Sequence, residues 1–473
     1  MQAVVNWRWS AAAGVGLALV YAASPLVTCA LAAMAVLLMV AGRELPPAER
    51  RRLLAILCIA LAARLAFIGA VMVSGIPVLN DLSVGALRGD DAYYVSRALR
   101  ARDITLGLTQ GKYDFFIVSD EYGRTSYLQL LTVLQTVFGP APYGMRAINA
   151  VLFVSGAYLL FRLARAAFGA TAAALGLTAL LFMPSLFVSS TSLLKESSYF
   201  FATTVLLTVV VAALRHPRVA VRLAAIAIAA MCLWALDDLR RGALLLSIAG
   251  LTTAIVLRVT FATPRRALAG LVLAVLMVAA AWMQPSIRAR AIDGITSVAK
   301  THAGHVFTTG HAYKLLDEAF YMHPGTPAAW PLTLTEGQAA RFLVRATRSF
   351  LVTPWPWEIT SRSELIFLPE HMVWLLIVGF APIGVVAGWR RDALVTSLLI
   401  GFVLPTAAAL AATNGNVGTL LRLRGLVSPY LIWIAVLGGL SVAEYLLSRH
   451  AAAAPETGGA SGAEAVIRGG GWR

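Results

Sequence analysis

RRRLLAILCIALAARLAFIGAVMVSG, residues 50–75, decides the fold. Three arginines lead into an apolar run from Leu53 to Gly75 that is broken by one charge, Arg64. A helix crosses a hydrocarbon core of roughly 30 Å with about 20 apolar residues, and its backbone satisfies itself without water. Barrel strands would alternate apolar and polar over about ten residues, and no such alternation is present. Similar runs recur at approximately 145–165, 171–191, 198–214, 220–236, 242–259, 267–284, 368–389, 393–412 and 425–447. An earlier run, Ser10 to Gly42, has Pro25 near its middle. It reads as a hairpin or as one long kinked span. The hairpin is favoured because a single span rarely needs that length.

Composition agrees. The chain of 473 residues is 59% hydrophobic and 13% charged, with a mean hydropathy of +0.77. Soluble domains carry about 25% charged residues. The expected fold is therefore an all-α polytopic membrane protein of about 11–12 transmembrane helices. Cys29, Cys58 and Cys232 all fall inside apolar runs, with no disulfide or metal spacing.

The net charge is +16, but it is dealt out in small clusters between spans. That pattern is a topology signal, not a nucleic-acid-binding face, so no nucleic-acid partner is expected. The basic loop at 43–52 places that side in the cytoplasm. Alternation then puts Arg162 and Arg165, Arg215 and Arg218, Arg265 and Arg266, Arg390 and Arg391, and Arg449 on the same side. The opposite side receives two large extracytoplasmic loops, at 78–144 and 285–367. The chain divides into residues 1–52, a transmembrane core at 53–284, the second large loop, a C-terminal group of spans at 368–447, and a disordered tail at 448–473. Tyr127 to Phe138 is too short to span and reads as an interfacial amphipathic helix. Arginine far outnumbers lysine in an alanine-rich chain, which suggests a GC-rich bacterial genome and hence a bacterial inner membrane.

The sharpest chemical feature is GDDAYYVSRALR, residues 89–100. Two acids opening a helix are favoured by its dipole, so a solvated N-terminus accounts for them. They also suit a general base near the membrane surface, which would take a proton from an attacking hydroxyl. Lys195 and Glu196, Asp237 and Asp238 with Arg240 and Arg241, and Arg422 and Arg424 lie at outer turns. Each is either a snorkelling or locally paired residue or part of a site, and charges at membrane depth are costly unless used. In THAGHVFTTGHAYKLLDE, residues 301–318, His302, His305 and His311 lack ordinary metal spacing. Arg341, Arg345 and Arg348 share a helical face and would meet lipid phosphates. Trp355 and Trp357 read as interfacial anchors or a sugar-stacking platform.

From Arg64 to Val211 the chain resembles the GT-C superfamily of polyprenyl-phosphate-dependent glycosyltransferases, nearest to its protein mannosyltransferase and aminoarabinose transferase branch. The matches fall in order: LAARLAFIGAV leading into the outer loop; the acid–acid–x–x–Tyr pattern of Asp90, Asp91 and Tyr94; RTSYLQLLTVLQTVFGPAPYGMRAINAVLF; and FMPSLFVSSTSLLKE. The resemblance weakens in the C-terminal half, where PWPWE departs from the family pattern. It implies a GT-C-like bundle and an inverting transfer of a sugar from a polyprenyl-phosphate donor to a lipid, glycan or protein acceptor. Asp90 matches the family's catalytic acid, with Asp91 its neighbour and fallback. Tyr94, Arg124, Lys195, Glu196, Arg240, Arg241, Arg422 and Arg424 would bind substrate, the arginines answering phosphate oxygens in pairs. No cofactor is required, while a divalent cation bridged by Asp90 and phosphate stays open. Two other readings compete. One is a polymerase or ligase of lipid-linked polysaccharide, and the other is a transporter or flippase of lipid-linked sugars, which would show broken spans in paired halves.

Overall fold

A computed structural model describes residues 2–74, 84–108, 126–240, 242–308, 312–321, 333–358, 365 and 368–453. Among the described residues there are 18 α-helices and, in place of any strand, a single bridge pair between Ala312 and Asn416. In order they are α1 (Gln2–Ala23), α2 (Pro25–Ala41), α3 (Pro47–Ser74), α4 (Val84–Thr105), α5 (Ser126–Phe138), α6 (Pro142–Phe168), α7 (Ala170–Phe182), α8 (Pro184–Thr191) and α9 (Glu196–Arg215). There follow α10 (Val219–Leu239), α11 (Ala243–Thr260), α12 (Pro264–Met283), α13 (Pro285–Val306), α14 (Glu336–Val352), α15 (Leu368–Arg391), α16 (Ala393–Thr413), α17 (Val417–Arg424) and α18 (Ser428–Ala453).

Nine of these, α3, α6, α9 to α12, α15, α16 and α18, are long and apolar enough to cross a membrane. Helices α7 and α8, bent by 61° at their junction, pass the same test together, as a broken span or a re-entrant loop. The chain is a multi-pass membrane protein. The total of nine or ten falls below the 11–12 expected, and the N-terminal run explains the difference. It is two helices rather than one kinked span, because Ser24 is extended (φ −162°, ψ 106°) and Pro25 opens α2. The apolar stretches Ser10–Ala22 and Pro25–Ala41 are each short of the roughly 20 residues a crossing needs.

Contacts sort the helix ends into two sets. Glu44 pairs with Arg162 at 2.9 Å, Glu49 with Arg165 at 2.7 Å, and Asp392 with Arg215 at 2.6 Å. Arg391 donates to the Phe168 carbonyl at 2.8 Å, and the rings of Phe261 and Trp389 meet edge-on at 5.9 Å. All the loops that join these residues therefore share one end, the basic end, as the charge alternation requires. Asp392 also caps α16, accepting from the Leu394 and Val395 amides.

Tight helix pairing closes the bundle. A side chain on Gly384 of α15 would meet the Ile434 carbonyl of α18 at 1.8 Å, and one on Gly438 would meet the Phe380 carbonyl at 2.2 Å. In lipid, where burial of apolar surface drives little association, such close backbone approach supplies packing. At the end opposite the basic loops, Ala299, Ala303, Leu315, Leu316, Phe320, Tyr321, Leu334, Ala339, Phe342 and Ala346 form a second core. It is joined to α16 through Ala412 and through the Tyr313 hydroxyl, which donates to the Asn414 carbonyl at 2.6 Å.

Candidate functional site

The acid pair does not open its helix. Helix α4 begins at Val84 and has no acid in its first turn, so Asp90 and Asp91 fall in the second turn and cannot serve as a solvated N-terminus. The Asp90 side chain lies outside the described residues, as do Arg124 and Arg241. Asp91 is 4% exposed. Its Oδ2 pairs with Arg146 of α6 at 2.7 Å, and its Oδ1 accepts from the Leu193 amide at 2.8 Å. Asn149, one turn along α6, donates to the carbonyls of Ser192 and Leu194 at 2.6 and 3.2 Å. The turn between α8 and α9 is thus gripped by an acid for its N–H and an amide for its carbonyls.

Tyr94 packs edge-on to Tyr127 with ring centroids 5.4 Å apart. Tyr127 is buried, and its hydroxyl has no hydrogen-bond partner among the described residues. Burial raises its pKa well above the ordinary phenol value, and the nearby charges of Glu196 and Asp91 push the same way. Glu196 opens α9 with Lys195 as its cap residue. Its Oε1 lies 3.8 Å from Arg240, and both side chains are mostly buried. Of the two readings of Asp237, Asp238, Arg240 and Arg241, Arg240 turns to Glu196, both aspartates are exposed, and Arg241 lies outside the described residues. Among the described residues, Glu196 Oε2, Arg240 Nη1, Arg146 Nε and the Ser197 and Ser198 hydroxyls are buried without hydrogen-bond partners. Buried polar atoms are ordinarily answered. Together with the Asp91–Arg146 pair, these form a buried polar cluster whose hydrogen-bonding capacity is not met among the described residues.

Arg424 belongs to a second cluster. It is 3% exposed and donates to the carbonyls of Phe350 (3.0 and 2.5 Å), Ser349 (3.3 Å) and Thr353 (2.6 Å). Phe350 offers an otherwise orphan carbonyl in the last turn of α14, Ser349 also accepts from the Thr353 amide at 2.9 Å, and Thr353 lies just past the helix; a cation suits that end of a helix. Its Nη1 lies 3.3 Å from His371 Nδ1, and its guanidinium stacks 5.0 Å from the Trp374 ring centre. Burial pulls Arg424 down to about 9, so it keeps its charge at neutral pH. Arg422, two residues earlier, is half-buried. Among the loop histidines, His302 is buried against Tyr313, Tyr321 and Phe342, and His311 lies outside the described residues.

Helix α8 joins the two clusters. Pro184 breaks the span, and the next helical bond that should form, Ser185 N–H to Leu181 C=O, is replaced by side chains. The Ser185 amide donates to Glu370 at 2.8 Å, and its hydroxyl bonds the other oxygen of the same carboxylate. The Leu181 carbonyl accepts from Arg64 at 2.9 Å, and Arg64 also donates to the Ser190 hydroxyl at 2.9 Å. Arg64 is 0% exposed, so it does not snorkel. Its charge is spent on the break, with the rings of Phe187 and Phe153 against its faces. One short helix is therefore held by Glu370 at its start, by Arg64 along its length, and by Asp91 and Asn149 just past its end.

Sequence reasoning did not assign roles to Arg146, Asn149, Tyr127, Glu370 or His371. Arg146 and Asn149 carried a usable signal, since a cation and an amide one turn apart at the start of an apolar run demand partners. No family model, curated protein or solved structure matches the chain.

Proposed function

We propose that this chain is a membrane enzyme that transfers a sugar from a polyprenyl-phosphate donor to a lipid, glycan or protein acceptor at the end of the bundle opposite the basic loops. The reading takes the bundle as GT-C-like, that end as extracytoplasmic, and the membrane as a bacterial inner membrane. The observation that carries it is the buried polar cluster around Asp91, where an ion pair adjoins Glu196, Arg240 and Tyr127 and several polar atoms have no partner among the described residues. The two acids of the GDD motif divide the work. Both oxygens of Asp91 are engaged, so Asp91 positions the turn, and Asp90 acts as the base toward the acceptor hydroxyl. Arg240 and Lys195, with Arg241 and Arg124, supply cations for the charge that develops on the departing phosphate. Glu196 balances Arg240 until the phosphate enters.

Transport of a lipid-linked sugar is the second reading, favoured by the broken span α7–α8 and by the buried charge of Arg64. Transporters build sites from such discontinuous helices, usually in repeat-related pairs. The described residues hold one bent pair.

Purified chain in liposomes, supplied with a polyprenyl-phosphate sugar and acceptor, separates the readings. Under the enzymatic reading the wild type releases polyprenyl phosphate, and Asp90→Asn loses transfer by a factor of about 10² or more while still binding donor. Full activity in Asp90→Asn refutes the assignment of the base. Movement of the sugar lipid across the bilayer without transfer establishes the second reading.

A further inference from the structure

Helix α14 carries three sectors where an ordinary surface helix has two. At about 100° per residue, Ala339, Phe342, Ala346 and Phe350 share the face buried in the protein. Arg341, Arg345 and Arg348 lie on the far side, and all three are exposed. Between them, on one flank, come Ala340, Leu343, Val344 and Leu351. Val344 is 69% exposed and Leu343 is 42% exposed, so among the described residues this part of the apolar flank is uncovered, while Leu351 packs partly against the core.

The height of α14 is set by its anchors. The Trp374 indole, in the second turn of span α15, donates to the Leu351 carbonyl at 2.9 Å. Arg424 caps the same helix end. The core that the buried face of α14 joins also takes in Ala412, in the final turn of span α16. Both ends of the contact are outermost turns of spans, so α14 lies across them at the level of the membrane surface. Beyond its C-terminus, Trp355 and Trp357 stack at 4.6 Å, and Trp357 is 75% exposed, as befits aromatic residues at an interface.

We infer that the exposed faces of α14 form a docking surface for anionic phospholipid. The apolar flank enters the boundary between headgroups and acyl chains, and the arginine face meets the lipid phosphates. Arg345 is partly held by the Leu315 carbonyl at 3.1 Å, and Arg341 lies 3.7 Å from Asp317. Arg348 has no such partner among the described residues. Lipid docking at this surface does not depend on what the polar cluster around Asp91 does.

The test places a bimane label at Val344→Cys in the full chain, with Cys29, Cys58 and Cys232 replaced by alanine, in lipid nanodiscs. Brominated phosphatidylglycerol and brominated phosphatidylcholine are compared at equal mole fraction. Both quench the label, and the anionic lipid quenches more. Each arginine is worth about a fivefold local enrichment, so Arg348→Gln reduces the excess and Arg341→Gln/Arg345→Gln/Arg348→Gln abolishes it. Equal quenching by the two lipids in the unsubstituted helix overturns the proposal. So does a label untouched by either lipid but open to aqueous iodide, or an excess unchanged in both variants. If the triple variant fails to fold, Arg348→Gln alone decides.

Discussion

Arg146 and Asp91 are each buried, and each is tolerable only because of the other. Removing one partner of a buried pair leaves an uncompensated charge, which costs about 3–5 kcal/mol. Arg146→Met is therefore expected to lower thermal stability in detergent sharply, and Asp91→Asn combined with Arg146→Met to recover much of the loss. A double-mutant cycle on unfolding temperature measures this, and near-additive effects would deny the pairing. His302 gives a pH-dependent counterpart. Burial lowers it to about 4, against about 6.5 in an unfolded chain. The neutral ring is the folded form, so stability is complete above pH 6.5. It is lost as pH falls toward 4, by an amount on the order of 3 kcal/mol. His302→Phe should flatten the acid limb of a stability curve between those pH values, with the remaining slope owed partly to His305, which burial also lowers. Neither partnership could be read from the sequence. Arg146 stands 55 residues from Asp91, and His302 gives no sign in its own neighbourhood that Tyr313, Tyr321 and Phe342 will enclose it.

At the scale of elements, reading the chain worked wherever information is local. Span α6 was expected at 145–165 and runs Pro142–Phe168. Span α16 was expected at 393–412 and runs Ala393–Thr413. Hydropathy over a window decides such elements without help from distant residues. The same window hid the break at Pro184, because the run 171–191 is apolar throughout while the cost of its missing bond is met by Arg64 and Glu370, which are far away in sequence. Arg424 was grouped with outer cations for a related reason, since nothing near it reveals that α14 ends beside it. The break yields a graded prediction. Glu370→Gln keeps a carbonyl oxygen for the Ser185 amide, whereas Glu370→Ala leaves that amide buried and unanswered, at about 1–3 kcal/mol. Hydrogen exchange at Ser185 and the turn at Ser192 to Leu194 should rise little in the first and strongly in the second. Equal exchange in both variants would show that the carboxylate does not hold α8.

For the whole molecule, the contacts at the basic end and the alternation of arginines agree on which loops share a side. Single cysteines in a cysteine-free background at His216 and Arg266 should react with an impermeant thiol reagent from one face only, and cysteines at Asp238 and Lys314, both exposed, from the other. Mixed labelling within either pair would break the arrangement. The fold class and the grouping of loops were legible because composition and charge act over the whole chain. The polar cluster around Asp91 was only partly so, since the motif marked Asp91 and the tertiary structure chose its partners. The most direct measurement on the central claim is photocrosslinking with a benzophenone-bearing polyprenyl phosphate, followed by peptide mapping. The account predicts labelling within Ser192–Tyr199 and the neighbouring faces of α5 and α10, competed by unlabelled polyprenyl phosphate. Labelling confined to the basic loops, with none around Glu196 and Arg240, would contradict it.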